Sequence, residues 1–132
     1  MSEFSGLFKA GSLEPFYTGE RCYITEHMNT DLSPAVSLAE CRVAPGVTTQ
    51  LHKLTVAERY VIQTGHGLVE LHGETGFSVA PGDCVLIPAG CPQRIKNTGP
   101  EDLVFICVCT PRFLPDGYIV LEDAQTKDIV EQ

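Results

Sequence analysis

Positive charge and long apolar segments are both scarce in this 132-residue sequence. It has 9 lysines and arginines against 17 aspartates and glutamates, which gives a formal net charge of −8. Nucleic acids and anionic membranes both need a basic surface on the protein that binds them. The longest apolar run, LVFICVC, is far too short to cross a bilayer. We therefore expect neither nucleic acid nor a membrane as a partner.

Signals of several other protein classes are missing as well. The opening residues MSEFSGLFKAG contain no apolar run of the length that a secretion signal needs, so we expect a cytoplasmic protein. Neither a Gly-x-Ser-x-Gly pattern nor a phosphate-binding loop occurs. The cysteines show no paired spacing and mostly fall within apolar strand patterns, which favours reduced, buried thiols over disulfides. They are Cys22, Cys41, Cys84, Cys91, Cys107 and Cys109.

Glycine and proline are plentiful by contrast, and they divide the chain into short segments. Twelve glycines and nine prolines are spread through the sequence. Between them lie about nine short segments with alternating or apolar patterns, which is typical of a β-sandwich or barrel. Hydrophobic residues make up 43% of the chain, and there is no repeat, linker or low-complexity tract. The composition thus predicts one compact domain.

The most informative stretch runs from Gly46 to Gly67 and reads GVTTQLHKLTVAERYVIQTGHG. Side chains alternate in direction along a strand, so Glu58, Tyr60 and Ile62 share one face. A carboxylate buried on such an apolar wall is costly without a partner, and a metal ion or a bound substrate is the usual one. The alternative is an exposed face on which Glu58 is solvated.

This stretch resembles the first motif of the cupin superfamily, G-x5-H-x-H-x3-E-x6-G. Gly46, His52, Glu58 and Gly65 occupy the matching places. The second histidine of the motif is replaced by Leu54.

A later stretch, GDCVLIPAGCPQRIKN, resembles the second cupin motif, G-x5-P-x-G-x2-H-x3-N. Gly82, Pro88, Gly90 and Asn97 are in register, whereas Gln93 replaces the histidine. Eight of the ten motif positions therefore agree, in the right order and separation. Both departures fall on positions that bind metal in the family.

The resemblance implies an all-β, single-domain fold, the double-stranded β-helix or small jelly-roll barrel. We expect the barrel to span residues 21–113, between an N-terminal segment, 1–20, and a C-terminal tail, 114–132. Many small cupins form dimers by exchanging an N-terminal strand. The apolar side chains of Phe4, Leu7 and Phe8 suit such a contact, because exposed apolar clusters usually mark an interface. We therefore expect a homodimer.

The resemblance also implies a divalent metal (iron, manganese, nickel or zinc) on three histidines and a glutamate. In this chain the matching positions supply His52, Glu58 and Gln93 as metal ligands, while Leu54 cannot bind a metal. Such a set would hold a metal weakly unless another group joined it. The candidates for joining it are Cys107, Cys109, His27 and the substrate itself.

Two classes of function remain open. The first hypothesis is a metal-assisted enzyme that binds a carboxylate, a dicarbonyl or a sugar acid and acts as an isomerase, decarboxylase or dioxygenase. Glu58 or Tyr60 would then carry protons as the catalytic residue. The second hypothesis is a metal-free binding or sensor module without turnover. Its small-molecule ligand would be held by hydrogen bonds from His52, Tyr60 and Gln93.

Overall fold

A computed structural model describes residues 5–74 and 76–122 of the chain. These residues form eleven strands and one short 3-10 turn, Pro115–Gly117. The strands are β1 (Phe16–Tyr17), β2 (Tyr23–Met28), β3 (Ser37–Val43), β4 (His52–Leu54), β5 (Ala57–Thr64), β6 (Gly67–Leu71), β7 (Phe77–Val79), β8 (Cys84–Ile87), β9 (Gln93–Asn97), β10 (Leu103–Thr110) and β11 (Tyr118–Val120). No helix in these residues is long and apolar enough to span a membrane.

The strands form two antiparallel sheets that face each other across one core. One sheet has the order β1-β2-β3-β10-β5-β8, and the other has the order β11-β4-β9-β6-β7. Both sheets contribute to the core, for example through Ile62 and Phe105 from the first and Val69 and Ile95 from the second. The predicted all-β barrel of a single domain is confirmed.

Strict alternation decides which side chains enter the core. In β5, Glu58, Tyr60 and Ile62 are only 6%, 2% and 1% exposed. Arg59 and Gln63 lie on the other face, where Gln63 is exposed. The alternative of a solvated Glu58 is therefore excluded, and its carboxyl group lies within the barrel.

Two motif residues have structural roles at the turns. Gly65 adopts a φ of 84°, and a Cβ atom there would lie 2.6 Å from the Asp102 carbonyl oxygen. Only glycine accommodates both that backbone conformation and that close approach. The Asn97 amide donates to the carbonyl oxygens of Val43 and Glu101 at 2.9 and 2.7 Å. These two residues thus tie β5, β9 and β10 together whatever the cavity binds.

The segments before and after the barrel each add a strand to a sheet. β1 pairs with β2 of the same chain, and β11 pairs with β4. Leu7, Leu13 and Tyr17 are 83%, 56% and 60% exposed. Phe4 and residues 123–132 of the tail lie outside the described residues. Exchange of the N-terminal segment in a homodimer stays a prediction, and so do the two segment boundaries at 20/21 and 113/114.

Candidate functional site

A cavity of about 570 Å³ lies between the two sheets, beneath the C-terminal strand. Both sheets contribute to its wall, because β4 and β11 belong to one sheet and β5 and β10 to the other. Its volume falls within the range of pockets that bind small molecules. The polar side chains that matter for its chemistry are Glu20, Gln50, His52, Glu58, Cys107 and Cys109.

His52 is held in one orientation on the cavity wall, where it is 2% exposed. Its Nδ1 atom lies 2.7 Å from the Gln50 carbonyl oxygen, which can only accept a hydrogen bond. In the neutral ring, Nδ1 therefore carries the hydrogen and Nε2 has a free lone pair. The ring also stacks on Tyr118, with centroids 4.4 Å apart and planes 14° apart. Tyr118 is fixed in turn, since its hydroxyl group donates to the Gln50 side-chain oxygen at 2.8 Å.

Glu58 faces His52's sheet from the opposite wall and lacks a full set of partners. Its Oε1 atom is buried and has no hydrogen-bond partner among the described residues. Its Oε2 atom has a long contact with the Cys109 thiol at 3.9 Å, and the Cys107 and Gln93 side chains also lie close to the carboxyl group. Burial, followed by the nearby Glu20 carboxyl, raises the pKa of Glu58 to about 8, against the opposing effect of Cys107, Gln93 and Cys109. A buried oxygen without a partner costs free energy, and a bound molecule would remove that cost.

Gln93 and Tyr60 both lie inside the barrel, where their side chains contact each other. Gln93 is 1% exposed and stands directly opposite His52 in the β4–β9 register. Its side-chain oxygen accepts a hydrogen bond of 2.5 Å from the Tyr60 hydroxyl group. Neither residue belongs to the cavity wall. Burial, and then the Glu58 carboxyl, raise the pKa of Tyr60 well above its ordinary value. The roles of Tyr60 as a proton carrier and of Gln93 as a ligand stay predictions.

The donor atoms do not fit the four-ligand metal site that the motif resemblance implies. Leu54 puts an apolar side chain on the wall, and the Gln93 oxygen is already bonded to Tyr60. In the part of the chain that the structure describes, no three His, Cys, Asp or Glu side chains are grouped so that they could hold one metal ion. His52 and Glu58 are left as the strong donors, and two donors hold a transition metal weakly.

The additional candidate ligands do not complete that set. Cys107 and Cys109 line the cavity, whereas His27 is exposed and lies off the wall. Burial, and then the Glu58 carboxyl, raise the pKa of Cys109 to about 12 and that of Cys107 well above its ordinary value. Both thiols therefore keep their protons in the metal-free protein at physiological pH, and a metal ion would have to displace those protons to bind them.

Three residues that the sequence patterns did not single out also form the site: Glu20, Gln50 and Tyr118. Glu20 precedes β2, next to Arg21, whose φ of 71° is rare for a side-chain-bearing residue. Burial raises the pKa of Glu20 despite the opposing charges of His52 and Arg21. These residues lie outside or at the ends of the strands that the motifs cover, so strand periodicity gave no signal for them.

Comparisons with known proteins bear on the same part of the chain. A family model described as a cupin domain matches residues 39–109. The uncharacterized protein MJ1618 of Methanocaldococcus jannaschii is 34% identical over 113 residues, which are 83% of this chain and 90% of that protein. A variant of Streptomyces PAC13 with uridine has a TM-score of 0.76 at 14% identity, over 90% of this chain and 92% of that chain. Oxalate decarboxylase from Bacillus subtilis has a TM-score of 0.75 at 22% identity, over 92% of this chain and 33% of that chain.

Proposed function

This chain belongs to the cupin family, and we propose that it binds a small organic molecule in its barrel cavity through Glu58 and His52. The observation that carries this proposal is the Oε1 atom of Glu58, which is buried on the cavity wall without a hydrogen-bond partner among the described residues. A folded protein keeps such an atom at a cost unless a ligand or water satisfies it. His52 presents a second polar atom, Nε2, to the same ligand.

The site is arranged for an organic ligand without a metal ion of its own. His52 is already oriented by Gln50 and Tyr118, so the ligand meets a preformed hydrogen-bonding group. Apolar side chains such as Ile24 and Leu54 line the rest of the wall and exclude water from the polar end. The divalent metal of the first hypothesis would have only His52 and Glu58 as strong ligands, and no step of the proposed function depends on it.

The lack of basic side chains on the described cavity wall argues against a negatively charged ligand. No lysine or arginine belongs to the cavity wall in residues 5–74 and 76–122. A dianion such as the substrate of oxalate decarboxylase would therefore meet carboxyl groups without a compensating cation. A neutral molecule with several hydrogen-bonding groups, like the uridine bound to PAC13, matches the wall better. The carboxylate and sugar-acid ligands of the first hypothesis are thus less suited to this cavity than a ligand without negative charge.

An enzyme that isomerises its ligand by proton transfer is the second candidate function. Glu58 and His52 border one cavity from facing sheets, so one could donate a proton to the ligand while the other accepts one. Of the three reactions in the first hypothesis, isomerisation is the one that these side chains could carry out by themselves. Turnover would appear as incorporation of deuterium from D2O into a carbon position of the ligand.

A thermal-shift screen with EDTA present tests the binding proposal. Uridine and oxalate serve as the first probes, followed by small neutral polyols and amides. A ligand at a hundred times its Kd contributes about 2.7 kcal/mol, which raises Tm by about 10 °C in a domain of this size. We expect neutral compounds to raise Tm and oxalate not to do so.

Matched variants link that shift to the cavity. Glu58→Gln should reduce the shift, whereas Glu101→Gln, the same substitution at an exposed position, should leave it unchanged. Binding that appears only when a divalent metal is added would contradict the metal-free proposal and support the first hypothesis.

A further inference from the structure

Acidic side chains dominate the polar part of the cavity wall. Glu20, Glu26 and Glu58 line it, and the described residues contribute no basic side chain to it. Glu26 already accepts a hydrogen bond of 2.9 Å from the Asn29 amide. The Glu20 carboxyl group accepts none from the described residues, and neither does Oε1 of Glu58. Oε1 of Glu58 is thus a buried oxygen without a donor among the described residues, whereas the half-buried Glu20 carboxyl is also open to solvent.

The arginines that approach the cavity are engaged elsewhere. Arg21 donates to both carboxyl oxygens of Glu122, at 3.2 and 2.8 Å, and to the Thr48 carbonyl oxygen at 2.9 Å. Arg112 donates through Nε to the Asn29 side-chain oxygen at 2.7 Å. Neither side chain is part of the wall. The described residues of the wall therefore offer no cation that could stabilise an ionised Glu58, and only an occupant could supply that charge.

The cavity has room for an occupant larger than a single ion. Glu20 and Glu58 line the same cavity as His52, yet no three such side chains among the described residues are grouped to hold one metal ion. The same wall carries the apolar side chains of Ile24 and Leu38. A cavity of about 570 Å³ has room for a molecule with a polar end and an apolar portion.

From these observations, and resting on the proposed function, we infer that the ligand is a small organic cation. Its ammonium or amidinium N–H groups donate to Oε1 of Glu58 and to Glu20, and its apolar portion packs against Ile24 and Leu38. Binding of such a cation displaces the Glu58 proton to solvent, and the resulting carboxylate then receives both a hydrogen bond and a counter-charge from the ligand. The net charge of −8 also raises the concentration of cations near the protein.

Three probes of equal size but different charge test this inference: benzylamine, benzyl alcohol and benzoate. Their binding is measured by ligand-observed NMR and by calorimetry on the full chain, with EDTA and at millimolar probe concentration. We expect benzylamine to bind at least roughly tenfold more tightly than benzyl alcohol, because a charge-assisted hydrogen bond is stronger than a neutral one. Benzoate should bind more weakly than either.

Variants of the two unpartnered carboxyl groups show whether they are responsible. Glu58→Gln should weaken benzylamine binding by roughly tenfold to a hundredfold and weaken benzyl alcohol binding by a smaller factor. Glu20→Gln, which does not alter the barrel core, should weaken benzylamine binding in the same direction. Glu101→Gln is the matched control and should have no effect.

The outcomes separate this inference from the proposed function. Tighter binding of benzyl alcohol or benzoate, lost in Glu58→Gln, would overturn the cationic ligand and leave the cavity as an organic-ligand site. Benzylamine binding to Glu58→Gln and Glu20→Gln that equals its binding to the native protein would also overturn it. Failure of all three probes, together with a failed thermal-shift screen, would overturn both.

Discussion

The stability of this protein should fall as pH rises, and Glu58 should be the main cause. Its pKa is raised from 4.5 to about 8, chiefly because the carboxyl group is buried. In the unfolded chain the group loses its proton near pH 4.5, whereas the native protein keeps the proton until about pH 8. The native state thus binds more protons than the unfolded state in this window, so the free energy of unfolding decreases from pH 4.5 to 8.

The size of this effect follows from proton linkage. Each pH unit inside the window removes up to about 1.4 kcal/mol, and between pH 5 and 8 the loss sums to about 3.5 kcal/mol. That is a large share of the 5–15 kcal/mol that is typical of native domains. Glu58→Gln keeps the size of the side chain but cannot ionise. The free energy of unfolding of this variant relative to the native protein should therefore rise by about 3.5 kcal/mol from pH 5 to pH 8.

Urea denaturation at pH 5, 6, 7 and 8 measures this difference, with a reductant present to keep the thiols reduced. Glu20 has a raised pKa as well. Because Glu20 titrates in both proteins, its contribution to the free energy of unfolding largely cancels in the comparison. Glu101→Gln, at an exposed position, should give a difference that does not change with pH. A constant difference between Glu58→Gln and the native protein would refute the reasoning. It would mean that water or a cation reaches the Glu58 carboxyl group, which would also remove the main argument for a ligand there.

Three further predictions concern the metal site, the C-terminal strand and the assembly. Leu54→His combined with Gln93→His supplies the two missing imidazoles, so the affinity for Zn²⁺ or Mn²⁺, measured by calorimetry, should rise at least roughly tenfold. An unchanged affinity would show that the side chains at these two positions do not converge with His52. Arg21→Ala should lower the free energy of unfolding by about 3 kcal/mol, because the buried Glu122 carboxylate loses its ion-pair partner and keeps only the Leu51 N–H. Arg21→Ala combined with Glu122→Ala should cost less than the sum of the single changes, and strict additivity would contradict a direct pair. Light scattering at micromolar concentration should give twice the 14.4 kDa of one chain, and a mass of 14.4 kDa would count against the homodimer.

The sequence by itself determined the fold and the direction of the main side chains. Strand alternation has a period of two residues, so it could assign Glu58, Tyr60 and Gln93 to the interior from local sequence. The spacing of the glycines, Pro88 and Asn97 identified the family because those residues hold turns whose geometry few sequences satisfy. The sequence also shows directly that Leu54 and Gln93 replace two motif histidines. From this replacement alone, any metal site could be predicted to bind weakly.

The composition of the cavity was decided only by the tertiary structure. Glu20 reaches the wall next to Arg21, whose partner Glu122 lies 101 residues further along the chain. The hydrogen bond from the Tyr60 hydroxyl group to the Gln93 side-chain oxygen crosses from one sheet to the other. Because periodicity shows which face a side chain occupies, but not which atom it meets there, the sequence could not show that Oε1 of Glu58 is left without a donor. That unpartnered atom, and the acidic wall around it, depend on contacts between segments that are far apart in the chain.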